Sequence, residues 1–165
     1  MKNISGVVIG IVKEVDATVG AIKVDFPWMS PPQRSHWSPI ATLMGGKGRG
    51  VYFMPEIDDE VLVAFQHGEF EHPFVIGFLW NGMDAPPRAD PKRRVIHSVN
   101  GHVIEIYDPD ISDGDKGYIR LKDAHGNFVE LANARITIQS VAAININAPS
   151  VVINGRPVAP VPNPI

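Results

Sequence analysis

The chain has 165 residues, a net charge of −3, fifteen glycines, fifteen prolines and no cysteine. This length allows one ordinary domain or two small ones. The charge provides no basic surplus to neutralise a nucleic-acid backbone or an anionic lipid surface. The lack of cysteine excludes disulfides and thiolate catalysis, and no apolar run approaches the roughly 18 residues of a membrane span. The many turn residues favour an all-β protein.

The N-terminal half contains four strand-like segments rich in valine, isoleucine and phenylalanine, which are 7–15, 21–26, 60–65 and 74–79. Turn residues separate these segments, as is usual between strands. One long irregular connection, 27–54, joins the second segment to the third. About five strands with one long crossing favour a small Greek-key barrel of the OB type.

The first apolar stretch, 7–12, follows Lys2 and loosely imitates a secretory signal peptide. Its β-branched composition, and the charged Lys13 and Glu14 directly after it, favour a first strand instead. We therefore expect the protein to be made in a cytoplasm, and to act outside it after assembly or lysis.

A change of composition over residues 83–94 predicts a domain boundary, because Pro86-Pro87 and Asp90-Pro91 punctuate this stretch. The predicted organisation is an OB-fold collar domain over 1–82, a linker over 83–94, a β-helical needle over 95–155 and a Pro-rich extended tail over 156–165.

The predicted needle contains aliphatic pairs separated by one residue, which puts both side chains on one face of a strand. Four successive pairs begin at Val129, Ile136, Ile144 and Val151, in steps of seven, eight and seven residues. Short strands at such regular steps are typical of the rungs of a β-helix or β-prism. The polar loop 108–117 is predicted to replace one rung or to bulge from it.

Two inward aliphatics per rung cannot close a core within one chain, so the pattern predicts an intertwined oligomeric shaft. The predicted core residues are Ile104, Ile106, Ile119, Leu121, Val129, Leu131, Ile136, Ile138, Ile144, Ile146, Val151 and Ile153.

A specific set of residues in the first half resembles the OB domain of the phage-baseplate spike family, which includes baseplate assembly protein V and the valine-glycine-repeat spikes of type VI secretion. The motif residues are Phe26, Pro27, Trp28, Trp37, Gly48, Gly50, Pro55, Glu56, Asp59, Glu60 and Val61. The ordered resemblance covers roughly residues 7–82, and the predicted needle follows in the family's domain order. Asp58 stands where the family usually has glycine; since aspartate tolerates the left-handed region, we expect the turn to survive.

The resemblance implies a homotrimeric central spike of a contractile phage tail or a related injection system. The OB domains would form a collar under the tail tube hub protein, and the needle would puncture the target envelope mechanically, with transient contact to the target membrane. No enzymatic activity and no cofactor are expected. The chain lacks the family's appended lysozyme and large hub domains, so the resemblance is to a short, stand-alone spike assembled into a virion baseplate or an extracellular injection particle.

The end of the predicted needle is expected to bind a separate tip protein, because open strand edges and apolar ends attract a partner. The resemblance indicates a PAAR-repeat protein, with Asn154, Gly155, Arg156 and Pro157 as the contact residues. Alternatively, the three tails fold back and seal the end. The last histidine is His125, so the apical His-x-His iron site of some family needles is not expected.

Two histidine clusters are candidate metal sites. The first is His67, Glu69, Glu71 and His72; the second is His97 and His102. A metal could use imidazole and carboxylate ligands, but a polar hairpin loop explains the first cluster and a cross-strand pair the second. We expect no metal at either.

Other motifs have ordinary structural interpretations. The glycine-rich run 45–50 lacks the ending and the helix of a phosphate loop, so a flexible loop near the hub contact is expected. Asp58-Asp59-Glu60 lacks the spacing of a Ca²⁺ loop, and Lys92-Arg93-Arg94 predicts a solvated neck.

The tryptophans leave an alternative function open. Trp28, Trp37 and Trp80 are expected to pack in the core or at an interface, although tryptophan also stacks on bases or sugars. The alternative is a trimeric OB-fold binding module for glycan or single-stranded nucleic acid. An envelope hydrolase is a weaker alternative, because no nucleophile or carboxylate pair stands in a recognisable frame.

Overall fold

The computed structural model describes residues 4–111 and 114–158, and strands provide nearly all of its regular structure. This confirms the all-β fold class. The chain divides into two compact units, Met1–Pro86 and Pro87–Ile165, and the division falls inside the stretch 83–94.

The first unit contains four long strands at the predicted places. Its strands are β1 (Val7–Asp16), β2 (Ala21–Phe26), β3 (Gln33–Arg34), β4 (Ser38–Pro39), β5 (Gly45–Gly46), β6 (Arg49–Gly50), β7 (Glu60–Phe65) and β8 (Pro73–Phe78). One 3-10 turn, Gln66–Gly68, follows β7. The predicted ends of the long strands agree with these to within one residue.

The strands of the first unit close into a small barrel. Their order is β3-β2-β1-β7-β8, and β4 also pairs with β2. Ile40, directly after β4, bridges to Val75 in β8, and the Ala41 amide donates to the Val75 carbonyl at 2.8 Å. The path of pairings therefore returns to β2, which fits the predicted OB-type barrel.

Alternate residues of these strands fill the barrel with a complete apolar core. The fully buried aliphatic and aromatic side chains are Val12, Ile22, Val24, Phe26, Val61, Val63 and Val75. The ring of Phe26 lies 5.7 Å from that of Phe65 and 5.6 Å from that of Phe70. A Cβ at Gly10 would lie only 3.1 Å from the Val24 side chain, so glycine lets β1 approach β2 closely.

The second unit is a five-stranded antiparallel meander followed by a short hairpin. The meander strands are β9 (Arg93–His97), β10 (Val103–Tyr107), β11 (Tyr118–Lys122), β12 (Phe128–Ala132) and β13 (Arg135–Gln139), paired in chain order. The hairpin strands are β14 (Val152–Ile153) and β15 (Arg156–Pro157).

The meander differs from the helical stacking predicted from the seven-residue steps. In stacked rungs Val129 would lie over Ile136, whereas here Val129 lies opposite Ile138. The cause is the two-residue turn Asn133-Ala134, where φ is 45° and 63°, since such a turn reverses the chain. A five-residue strand and a two-residue turn also repeat every seven residues. Likewise, loop 108–117 replaces no rung, because it joins the directly paired β10 and β11.

The end of the described chain returns on itself. Asn154 and Gly155, with φ of 49° and 76°, form the turn between β14 and β15. Residues 156 and 157, at the start of the predicted extended tail, therefore pair with β14. The last seven residues of that tail, 159–165, lie outside the described residues.

Candidate functional site

One face of the meander carries two rows of aliphatic side chains, which we call the apolar face. The first row is Ile96, Ile104, Leu121, Val129 and Ile138, and the second is Ile106, Ile119, Leu131 and Ile136. Alternation along each strand puts all nine on one side of the sheet. Eight of the nine are exposed, Ile136 at 70 %. Side chains of this kind normally lie inside a protein.

The chain after β13 extends the first row. The Val141 amide donates to Asn127 Oδ1 at 2.8 Å, and Ile144 then lines a shallow apolar cavity together with Leu121 and Ile138. Of the predicted core residues, the structure thus brings together all those from Ile104 to Ile144. The other three, Ile146, Val151 and Ile153, do not line this cavity, and Ile146 and Ile153 are exposed. The role of all twelve in a trimer core stays a prediction.

The opposite face of the meander buries charge instead, and we call it the charged face. Glu105 is 4 % exposed and Glu130 is 7 % exposed. Arg93 binds Glu105 and donates to the Tyr118 hydroxyl at 2.7 Å. Arg120 Nε donates to Glu130 Oε2 at 2.7 Å. Within the described residues, every buried side-chain nitrogen and oxygen has a hydrogen-bond partner, so this face needs no further cover.

Aromatic rings shield the arginines of the charged face. The Arg93 guanidinium lies 4.3 Å from the Tyr107 ring centre, and Arg120 lies 4.2 Å from that of Tyr118. The two tyrosine rings are 5.4 Å apart. Stacked guanidinium and aromatic groups attract each other more strongly where water is excluded, so the layer reinforces the buried ion pairs.

The charged face holds Glu105 in its ionised form. Burial alone raises the pKa of Glu105, but hydrogen bonds from Arg93 and Tyr118 outweigh it, and the pKa falls below the ordinary 4.5. The hydrogen bond to Glu105 in turn raises the pKa of Arg93. The pair therefore remains charged at neutral pH.

The residues of the charged face and the first-row residue Ile96 were not predicted from the sequence. Glu105, Arg120 and Glu130 each stand between the two members of an aliphatic pair. Their alternating sign along three successive strands was the available signal, because opposite charges on paired strands stabilise a sheet.

The OB motif residues tie β1 to the start of β7. The Val12 amide donates to the Asp59 carbonyl at 3.0 Å, and the Asp58 amide donates to the Val12 carbonyl at 2.9 Å. Asp59 Oδ2 accepts from the Glu56 amide at 2.8 Å. Asp58 has φ of 75°, which confirms that aspartate adopts the left-handed conformation here. Of the other motif residues, Phe26 and Val61 are fully buried.

The tryptophans lie on the surface of the barrel rather than in its core. Trp28 Nε1 donates to the Ile9 carbonyl at 3.1 Å, and Lys23 Nζ lies 4.6 Å from the Trp37 ring centre. Trp80 is 70 % exposed. The Trp28 ring also lies 5.9 Å from that of the core residue Phe26. The expectation that the tryptophans pack in the core or at an interface stays a prediction.

The candidate metal clusters do not converge. Within residues 4–111 and 114–158, no three or more potential ligands come close enough to hold a metal ion. His72 lies 3.6 Å from Glu69, His97 pairs with Val103 across two strands, and His102 Nδ1 accepts from a backbone amide.

The described part of the chain also contains no helix with the length and apolar character of a membrane span.

The basic cluster at residues 92–94 is paired with carboxylates. Lys92 binds Asp110, and Arg94 Nη1 lies 2.5 Å from Asp108. Arg93 and Arg94 belong to β9, not to the predicted linker 83–94. The side chains of Lys92 and Arg94 are exposed, as the prediction of a solvated cluster requires, and the role of this stretch as a neck stays a prediction.

Comparison with known proteins identifies the first unit. Residues 8–80 match the family model of the type VI secretion system/phage-baseplate injector OB domain. The chain is 27 % identical over 84 residues to the type VI secretion system spike protein VgrG2a of Pseudomonas aeruginosa. The matched region covers 48 % of this chain and 10 % of that protein.

Two further spike proteins give similar values. Identity to VgrG5 of Pseudomonas aeruginosa is 27 % over 113 residues, or 65 % of this chain and 13 % of that protein. Identity to VgrG3 of Vibrio cholerae is 29 % over 79 residues, or 46 % of this chain and 8 % of that protein. The matched part is thus a small fraction of each relative. These matches confirm the resemblance drawn from the motif residues.

Proposed function

We propose that this chain is the homotrimeric central spike of a contractile phage tail or a related injection system. Its residues 8–80 match the injector OB domain of that spike family. The OB domain joins the tail tube hub, and the second unit forms the needle that punctures the target envelope. The protein is made in the cytoplasm and assembled into a virion baseplate or an extracellular particle.

The apolar face carries this proposal. Its opposite face is already covered by the chain's own arginine and tyrosine side chains, so only the apolar face calls for a partner. Burying one aliphatic side chain contributes about 1.5–3 kcal/mol, and in a trimer each position counts three times. Three apolar faces turned inward give a core and leave the charged faces in contact with water.

Two features favour a closed prism over a two-sheet sandwich. The first is that β9 and β13 are open edges of the meander, and edges are an aggregation hazard unless they are paired. The second is the segment 140–150, which pairs with no strand among the described residues. Its residues from 141 to 150 are exposed, so water satisfies most of their backbone groups in one chain. Inside a shaft that water is lost, and neighbouring copies wound around one axis supply the partners instead.

A closed prism of this kind suits mechanical work. Buried ion pairs and paired edges resist local opening, and a polar exterior does not stay in a lipid bilayer. Sheath contraction then supplies the force, and the spike transmits it.

Sedimentation of the purified full chain tests the proposal. The chain weighs 18.0 kDa, and we expect three times this mass at micromolar concentration. A folded monomer would overturn the spike assignment, because the apolar face would then be stable in water. A dimer would contradict the prism and support a sandwich.

We further propose that a PAAR-repeat tip protein binds the turn Asn154-Gly155 and the adjoining Arg156 and Pro157. The hairpin there is exposed, as are Val152 and Ile153, and an exposed apolar end favours a partner. Pull-down of co-expressed tip candidates should succeed with the full chain and fail with a chain ending at Asn154. Equal recovery with both chains would place the contact elsewhere, and recovery with neither would reject the tip protein.

We propose that the spike itself has no catalytic activity. Glu69 and Glu71 lie in an exposed loop without a paired nucleophile. Incubation with peptidoglycan or envelope polysaccharide should release no fragments above buffer. Turnover that disappears in Glu69→Gln or Glu71→Gln would overturn this proposal.

Recognition of single-stranded nucleic acid is disfavoured by the ion pairing of the barrel. Lys13 binds Asp58, Lys23 binds Glu14, and Arg34 bridges Glu14 and Asp25. A basic groove that tracks phosphates needs a row of unpaired cations. The two other cations described in the barrel, Lys47 and Arg49, lie together on one short hairpin and form no such row.

A further inference from the structure

The first unit carries a basic hairpin that its own carboxylates do not neutralise. The glycine-rich run 45–50 forms the hairpin β5–β6, in which Lys47 lies in the turn and Arg49 is the first residue of β6. Neither side chain has an ion-pair partner among the described residues, whereas Lys13, Lys23 and Arg34 all do. The tight hairpin requires glycine at position 50, where φ is 156°. A Cβ there would lie 2.6 Å from the Met44 carbonyl oxygen.

The same unit carries an acidic groove with aromatic walls. Phe53, Phe78 and Trp80 line it together with Asp59, Glu60 and Asp84. The Asp59 and Asp84 carboxylates accept hydrogen bonds within their own turns, and in the described part of the chain none of the three acids pairs with a cation. Carboxylates beside exposed aromatic faces attract lysine and arginine, through ion pairs and through the ring faces.

We propose that the β5–β6 hairpin of one copy docks in the acidic groove of the next copy around the threefold axis of the spike. This contact rests on the proposed trimer and lies outside its needle. In a cyclic trimer each copy presents one surface to one neighbour and a different surface to the other. The hairpin and the groove have complementary charges, so they can serve as these two surfaces.

Because each barrel is connected to the needle, even a weak contact between hairpin and groove is sufficient to hold neighbouring barrels together. Fourteen residues, 79–92, separate β8 from β9, and a fully extended chain of this length spans at most about 50 Å. Three barrels tethered to one shaft within this reach have effective concentrations in roughly the millimolar range. Steering by opposite charges then selects the hairpin-to-groove orientation over random collisions.

Disulfide trapping tests the contact without background, because the chain has no cysteine. A tagged full-length chain carrying Lys47→Cys is co-expressed with an untagged chain carrying Asp84→Cys, so that any disulfide joins two copies. The matched control replaces Asp84→Cys by Glu71→Cys. Glu71 is also an exposed carboxylate of the barrel, but it lines a different cavity, beside Trp28.

We expect a disulfide-linked pair of chains from positions 47 and 84 and a several-fold lower yield from 47 and 71. Arg49→Glu in the tagged chain should lower the yield several-fold, and Glu60→Lys in the untagged chain should restore it. Raising the salt concentration should also slow trapping, because the contact is between exposed charges.

Sedimentation of the same samples separates this inference from the trimer itself. A trimer without 47–84 cross-links, or with equal cross-linking to position 71, overturns the hairpin contact and leaves the spike in place. Cross-links between two copies of Lys47→Cys would show a symmetric contact and also overturn it. A monomer would reject the proposed spike and this contact together.

Discussion

In the first unit the barrel places seven aliphatic and aromatic side chains at zero exposure, whereas in the second unit two of the most deeply buried side chains are glutamates. Both units consist of strands with alternating side chains. The difference arises because the barrel curls until its own strands face each other, while the meander remains a single layer. A single layer buries one face with long side chains of its own and leaves the other to a partner.

The stability of the two units should therefore depend unequally on the assembly of several chains. The first unit contains a complete core, so its stability should change little with protein concentration. The second unit should be stable only where copies meet. Trp28, Trp37 and Trp80 all lie in the first unit, so tryptophan fluorescence reports on that unit alone.

The largest effect is expected from a carboxylate on the apolar face. Ile138→Asp puts three carboxylates, one per copy, into the proposed shaft core, and an unpaired buried charge costs several kcal/mol. We expect sedimentation to show monomers and the barrel to stay folded, with a cooperative denaturant transition in tryptophan fluorescence. Gln139→Asp is the control, since it adds the same charge at the next residue of β13 on the opposite face. A trimer with Ile138→Asp, or dissociation with both variants, would contradict the role of the apolar face.

The next largest effect is expected in the barrel core. Phe26→Ala removes a ring that touches Phe65 and Phe70 and should cost about 3–5 kcal/mol in unfolding free energy. Denaturant titration followed by tryptophan fluorescence measures this cost, and sedimentation should still show a trimer.

Phe53→Ala provides the control for the barrel core. The ring of Phe53 is exposed, so its removal should change the unfolding free energy by only about 0.5 kcal/mol. Similar losses from both variants would mean that the barrel core is not the principal source of stability in the first unit.

The sequence predicted the elements of both units better than the way the strands of the second unit pair. Alternation and turn residues located β1, β2, β7 and β8, and the aliphatic pairs marked β12 and β13, because a strand with one buried face records that face in every second residue. The spacing of the aliphatic pairs was ambiguous, since a seven-residue step fits both a rung and a hairpin. The choice depended on the φ angles at Asn133 and Ala134, and alanine at a left-handed position gives no sequence signal.

The candidate site was predictable in its apolar half. The aliphatic pairs identified eight of the nine side chains on the apolar face, but the charged face was missed because Glu105 and Glu130 are buried only through contacts with arginine and tyrosine from other strands. Charged residues are exposed by default, so their burial could not be inferred from one strand at a time.

A smaller effect is expected when one buried ion pair of the charged face is broken. The pKa of folded Glu105 lies below its ordinary value of 4.5, so its ionised form stabilises the fold. This contribution is complete above about pH 4.5 and is lost as the pH falls through the lower, folded-state pKa. Arg93→Met removes the main hydrogen bond to Glu105, so the second unit should unfold at higher pH than in the unmodified chain.

Hydrogen exchange of the β10 and β11 amides, measured across an acid series, follows this loss. Lys92→Met serves as the control, because Lys92 precedes β9 and pairs with the exposed Asp110, and exposed pairs contribute little. An equal shift of the acid midpoint in both variants would show that the buried position of Glu105 has no special effect.

The smallest effect is expected at the terminal hairpin. Gly155 has φ of 76°, and alanine in this left-handed region costs about 1–2 kcal/mol. Gly155→Ala should therefore loosen the β14–β15 hairpin and speed exchange of the Val158 amide, which donates to the Val151 carbonyl at 2.7 Å. Gly82→Ala makes the same chemical change where a Cβ meets no atom within 4 Å and φ is not left-handed, and it should leave that amide unchanged.

Since the hairpin lies beyond the meander, sedimentation and tryptophan fluorescence should not change in either variant. Loss of the trimer in Gly155→Ala would instead show that the hairpin takes part in closing the shaft, and the division between a self-sufficient barrel and a partner-dependent sheet would then extend to the last described residues.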